Sequence, residues 1–346
     1  MREPHSPAES PGPATPSWHL NGRGSRPKLL AGAYKWLVWL AALVFGAALV
    51  AIVVTLAYKS RDAWATFGIG FLWSRSWDTI HYVFGALPFE VGTLLTTTIA
   101  LVVAVPVGIS CASYLTEMAP RLLRPLGVLV DLIAAVPSVV IGLWGLLVVA
   151  PVFERDVEPF MKKIPVIEWF FHGTPFGVSI FLAGVILALM VVPTIVALTR
   201  TALLGVGVAE REGAMALGAT PWQVLRKVVI PGARSGIVAA IVLALGRAIG
   251  ETIAVTLLIG NTYTIPHSLL APGATLGSVI VNQFGDASTV PHELGALVAL
   301  GVILLFIGLV INAGGQLILH TRSLSTRTRV RIAQELEEVV AESAAV

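Results

Sequence analysis

The sequence predicts an all-α protein threaded through a lipid bilayer, and two observations carry this. Charged residues make up only 12% of the 346 residues, while 56% are hydrophobic. A soluble domain carries about 25% charged residues, so too few remain here to coat a globule of this size, and lipid must be the solvent for most of the chain. The second observation is six apolar runs, at residues 36–58, 91–115, 126–152, 178–198, 236–260 and 294–319. Each comes close to or exceeds the roughly 20 residues a helix needs to cross the hydrocarbon.

Taken in order, residues 1–34 open the chain with a Pro-, Ser- and Gly-rich stretch that lacks the apolar side chains to form a core. The run at 36–58 is too long, and too far from the N-terminus, to be a signal-peptide core, so it reads as a retained helix. It forms, with an external loop, a first segment over residues 35–90. The remaining five runs make a transmembrane domain over 91–319, followed by a tail at 320–346. Pro137 lies inside the run at 126–152 and is expected to kink it. Two shorter apolar stretches, 63–73 and 275–284, suit the membrane interface.

Lys and Arg set the orientation. Arg23, Arg26, Lys28 and Lys35 precede the first run, and Arg121 and Arg124 follow the second. Arg200, Arg211, Arg226, Lys227 and Arg234 fall between the fourth and fifth, and Arg322, Arg327, Arg329 and Arg331 after the last. The opposite side holds Lys59, Arg61, Arg75, Arg155, Lys162 and Lys163, and residues 261–292 carry no Lys or Arg at all. Both termini and the 200–235 loop are therefore expected in the cytoplasm.

The net charge of +3 offers no support for nucleic-acid binding. The single cysteine, Cys111, sits in an apolar run without the company of a disulfide partner or metal ligands. No metal site and no catalytic group are expected. The chain has no GxxxxGK[ST] phosphate loop, so it is not itself an ATPase.

Chemistry concentrates in two places. Residues 209–236 read AEREGAMALGATPWQVLRKVVIPGARSG, which spells two short helices joined by a tight elbow. Gly218 suits a left-handed position ending the first helix. Thr220 is placed to cap the second, with Pro221 at its first position, Gln223 completing a capping box, and Pro231 stopping it. Such an elbow is a rigid knob for a partner, or else an amphipathic helix resting on headgroups. In the fifth run, Arg247 and Glu251 lie four apart, a spacing that puts both on one face of an apolar helix. A charge at the bilayer centre costs roughly 2.5–3.5 kcal/mol on insertion scales, so that face is buried in protein or lines a pathway. Either Arg247 is a fixed cation for a passing anion, moderated by Glu251, or the two form a structural ion pair. Gly246 and Gly250 are expected to admit a neighbouring helix closely.

The elbow resembles the signature of binding-protein-dependent ABC importer permeases. Glu212, Gly213 and Ala214 stand at its Glu-Ala-Ala positions, Gly218 at its glycine, and Val228, Ile230 and Pro231 at its apolar-x-apolar-Pro end. Gly213 for alanine is a departure that loosens the helix slightly. Further segments are similar to phosphate-transport permeases of the PstC type: FLWSRSWD at 71–78, FGALPFEVGTLLTT at 84–97, AVPSVVIGLWGLLVVAP at 135–151, GRAIGETIAVTLLIGN at 246–261 and TLGSVIVNQFGDA at 275–287. The resemblance runs from about residue 67 to 319.

It implies a six-helix type I ABC importer permease fold in a prokaryotic plasma membrane. It further implies a second homologous permease, two ATPase subunits that dock on the elbow, and an extracytoplasmic phosphate-binding protein. Inorganic phosphate would be the cargo and the lipid bilayer the surroundings. No cofactor would be bound by this chain, with ATP and Mg used by the partner ATPase. Sulfate and molybdate permeases share the elbow but typically carry an aromatic residue where this sequence has Thr252. An ion-gradient-driven transporter, with Glu251 carrying protons, would leave the capped elbow unexplained.

Overall fold

A computed structural model describes residues 28–119, 125–163, 170–171 and 176–317. The expectations for the tails at 1–27 and 320–346, and for Arg121 and Arg124, lie outside these residues. The described residues are helical apart from turns, loops and two isolated β-bridges. Six helices are long and apolar enough to cross a membrane: Tyr34–Leu72, Leu87–Met118, Ser138–Lys162, Ile180–Leu204, Pro221–Gly250 and Glu293–Leu317.

Contacts divide the chain into two units, Met1–Val54 and Thr55–Val346. In the first, helix α1 (Lys28–Lys59) exposes its large apolar side chains in every direction, Trp36, Trp39 and Phe45 among them. A helix apolar all round and buried by nothing in its own unit suits lipid.

The second unit begins with α2 (Arg61–Phe67) and a 3₁₀ turn, Gly68–Leu72, which is the first stretch expected at the interface. A tight loop follows, where Asp78 Oδ1 accepts from the N–H groups of Ile80 and His81, and Oδ2 meets His81 Nδ1 at 2.6 Å. The His81 side-chain hydrogen bond, aided by the two backbone donors, holds the exposed Asp78 carboxyl below the usual carboxylate range.

Next come α3 (Leu87–Ser113), extended by a π turn at Tyr114–Met118, and α4 (Leu126–Ala135). Then follow α5 (Ser138–Trp144), α6 (Ala150–Val152) and α7 (Glu158–Lys162), linked by π turns. The remaining elements are α8 (Ile180–Leu204), α9 (Val208–Ala216), α10 (Pro221–Val224), α11 (Ile230–Gly250), α12 (Ile253–Leu258), α13 (Leu276–Gln283) and α14 (Glu293–Leu317).

Helix α8 is the axis of this unit: 67% of its most apolar window is buried, against 39% or less in the other spans. It runs parallel to α3, with Ile99 seated on Gly184 and Ile195 on Gly108. Pro106 and Pro193 sit inside these two helices, as membrane helices tolerate when neighbours absorb the lost hydrogen bond. One end of the unit is an aromatic cluster, in which Trp77 meets Phe84 and Phe89 edge-on at 4.9 and 5.0 Å. There buried Thr93 donates to the Phe89 carbonyl and accepts from Leu276 N–H at 3.0 Å, tying α3 to the start of α13. Thr96, by contrast, bonds within α3, donating to the Gly92 carbonyl at 2.8 Å.

One expectation is corrected. The run at 126–152 is not a single kinked span. Its helix ends at Ala135, Val136 turns extended (ψ 129°), and a new helix starts after Pro137. The residue before a proline is driven out of the α region, and Pro137 has no N–H to continue the ladder. The spanning helix is therefore Ser138–Lys162, and α4, with ten residues, is too short to cross alone.

Candidate functional site

The elbow has the geometry its residues demand. Helix α9 ends at Ala216, and Gly218 adopts φ +85°, the left-handed region in which a Cβ is penalised. Thr220 caps α10 through a full capping box: Thr220 N–H donates to Gln223 Oε1 at 2.9 Å, and Gln223 N–H to Thr220 Oγ1 at 3.4 Å. Glu212 and Gly213 are exposed and Ala214 half-buried. On the same elements Val208, Met215, Leu217 and Trp222 are large apolar side chains left exposed, Leu217 at 91%.

Pro231, expected to stop the second helix, does not. It occupies the first turn of α11, and a π turn at Leu225–Val229 carries the helix through it, so Pro221–Gly250 is one continuous element. A proline ring clashes with the carbonyl four residues back and removes one N–H. The wider i→i+5 turn moves that carbonyl aside, so the chain bulges rather than breaks.

Sequence reading missed what holds the elbow in place. Arg211 Nη1 donates to both oxygens of Glu117, at 2.7 and 2.9 Å, and Nη2 donates to the Leu203 carbonyl. The side chains are only 18% and 14% exposed. Arg211 and Glu117 are both visible in the sequence, but nothing there signals that a residue at the end of the second run meets one beyond the fourth.

The second site lies in the membrane. Helix α11 ends at Gly250, Glu251 is extended (ψ 119°), and α12 resumes at Ile253. The hydroxyls of the segment itself satisfy loose carbonyls: Thr252 Oγ1 donates to Gly250 O at 3.3 Å, and Thr256 Oγ1 to Thr252 O at 2.7 Å. Broken backbone at this depth survives only where protein or a water-filled path adjoins it. Helix α13 closes one flank, with Gly277 so near Thr252 that a Cβ there would stand 2.6 Å from Oγ1.

The expectation that Arg247 and Glu251 share one face of an unbroken helix is therefore corrected. Arg247 stands on the last turn of α11 and Glu251 just beyond its end, and among the described residues no ion pair joins them. The i, i+4 rule needs helical backbone at both residues, and Gly250–Glu251 abandons it. Arg247 is exposed and Glu251 half-buried. Gly246 behaves as expected, admitting α14 so closely that a Cβ would stand 3.3 Å from Asn312 Nδ2, while Gly250 has nothing within 4 Å. Gly250 and Arg247 thus leave their side of this segment open.

Residues 104–320 match the family described as binding-protein-dependent transport system inner membrane component. The chain belongs to that family. Among its relatives, the phosphate transport system permease protein PstC of Pasteurella multocida is 40% identical over 78% of this chain and 86% of its own length. PstC of Mesorhizobium japonicum is 42% identical over 76% and 81%. Among solved structures, a bacterial ABC transporter involved in import of the acidic polysaccharide alginate aligns with 85% of this chain and 99% of its own, at TM-score 0.55 and 16% identity. The fold is that of an ABC importer permease.

As an inner membrane component of a transport system, the chain is a multi-pass membrane protein that carries a transport function. Its family match takes in both the elbow and the broken fifth span. The expected docking residues Glu212, Gly213, Ala214 and Gly218 are gathered in the elbow, while Pro231 lies at the start of α11, past the π turn.

Proposed function

We propose that this chain is one permease subunit of an ATP-driven phosphate importer. The observation that carries the reading is the pairing of two features in one chain. An exposed, apolar-topped elbow offers a docking surface, and Arg247 lies on an open face beside a broken membrane helix. The PstC relatives support phosphate as the cargo.

Arg247 stands on the last turn of α11, about 25 Å along it from its start, and within the apolar run 236–260. An uncompensated cation facing lipid there is costly, so a second homologous permease would cover this face and the two would line the path between them. The guanidinium fork suits phosphate oxygens and stays charged at any working pH. Glu251 stands near enough in sequence to temper that attraction, so the anion is received and then released.

Two ATPase subunits would bind the elbows in the cytoplasm through the Met215, Leu217 and Trp222 surface, using ATP and Mg. This chain would bind no cofactor. An extracytoplasmic phosphate-binding protein would dock on the opposite face. The charge asymmetry supports both termini and residues 200–235 on the cytoplasmic side.

The test is uptake into proteoliposomes holding the full complex. Phosphate should enter only with ATP and binding protein, and excess sulfate or molybdate should not compete. Competition by either would reassign the cargo, and uptake that survives ATP depletion but not collapse of the proton gradient would sink the ATP-driven reading.

A further inference from the structure

We infer that the Arg211–Glu117 pair is the strut that passes movement of the elbow to the membrane helices. The inference rests on the reading of the elbow as an ATPase dock. Helix α9 has no fully buried residue and touches the apolar core through the small, half-buried Ala214, so apolar packing alone fixes it weakly to the membrane body. One guanidinium supplies the fixture. Nη1 holds Glu117 on the π turn that continues α3, and Nη2 holds the Leu203 carbonyl in the last turn of α8.

Those two helix ends belong to the parallel pair at the heart of the fold, interlocked by Ile99 on Gly184 and Ile195 on Gly108. A pull on α9 is thus delivered to both at once. Arginine fits because its planar fork can bond a carboxylate and a carbonyl together, which an ammonium on a flexible stem does less well. The Leu203 carbonyl is one of the last four of its helix and carries partial negative charge, so a cation there is favoured on its own account. Low exposure makes the pair hard to replace by water, and removing one partner leaves a buried charge uncompensated.

The distinguishing readout is the ratio of phosphate imported to ATP hydrolysed, in proteoliposomes holding the complete complex and its phosphate-loaded binding protein. Glu117→Gln should lower that ratio by about tenfold or more while ATP hydrolysis continues. The exchange Glu117→Arg with Arg211→Glu should recover part of the ratio, without the Leu203 bond. A ratio that stays at the wild-type value in Glu117→Gln, even with both activities reduced in parallel, marks a role in folding alone and overturns the strut. If Glu117→Gln does not assemble, the exchanged protein decides: coupled transport supports the strut, and assembly with hydrolysis but no recovered ratio overturns it. Absence of ATP-driven phosphate uptake in the wild-type complex would instead overturn the importer reading itself.

Discussion

Gly142 and Ala254 touch with no space for a side chain: a Cβ at position 142 would stand 2.8 Å from the Ala254 Cα. Gly145, in the π turn that continues α5, likewise lies on Leu258, so this stretch and α12 run parallel. Each begins immediately after a break, at Val136–Pro137 and at Glu251–Thr252. The two interruptions of the membrane backbone thus lie at the same end of this packed pair. Gly142→Val should force the half-helices apart, at a cost of about 1–3 kcal/mol or more from overpacking. Thermal melting of the purified complex should show this, with Gly213→Ala as a control that melts no lower, because nothing lies within 4 Å of a Cβ at Gly213 and alanine is the better helix former by about 1 kcal/mol.

Gly218 tests the elbow by backbone alone. Its φ is +85° and a Cβ there would have nothing within 4 Å, so Gly218→Val introduces only conformational strain. The complex should still assemble but lose the link between ATP hydrolysis and uptake, whereas Gly218→Asn, better suited to left-handed backbone, should retain more of it. Normal uptake in the valine variant would count against the dock.

For Arg247 and Glu251, the break in the helix changes what a double mutant should do. A structural pair would give rescue when both are neutralised. Because no ion pair joins them among the described residues, Arg247→Gln and Glu251→Gln should each impair phosphate uptake, and the double variant should not recover it. A double variant that transports at the wild-type rate would show that neither residue serves the pathway.

Thr93 bridges two segments through one oxygen, donating to Phe89 and accepting from Leu276. Thr93→Val keeps the shape and leaves the buried Leu276 N–H without its acceptor, at a cost of about 1–3 kcal/mol. Hydrogen exchange at the start of α13 should accelerate in that variant, and unchanged protection would mean the bridge is dispensable.

Orientation is tested by labelling. Arg226 and Ser288 are both exposed. Single cysteines at these positions, in a Cys111→Ala background, should react with a membrane-impermeant reagent from opposite sides. Reaction of both from one side would mean that a span separating them has been misassigned.

Composition and local pattern alone determined that this chain lives in lipid, that it has six spans, and that an elbow with Gly218, Thr220 and Gln223 at fixed offsets projects between two of them. These are short-range properties: burial in lipid follows from summed hydropathy, and caps and left-handed glycines are set by a few adjacent residues. Tertiary structure alone decided three other matters. Pro137 ended a helix that sequence could only suppose kinked, while Pro231 was carried through by a π turn, because what a proline does depends on whether the neighbouring backbone can move its carbonyl aside. Glu251 left the helix that its spacing placed it on. And Arg211 found Glu117, 94 residues away in sequence, because the parallel packing of α3 and α8 brings their ends together, and no periodicity within either segment encodes that meeting.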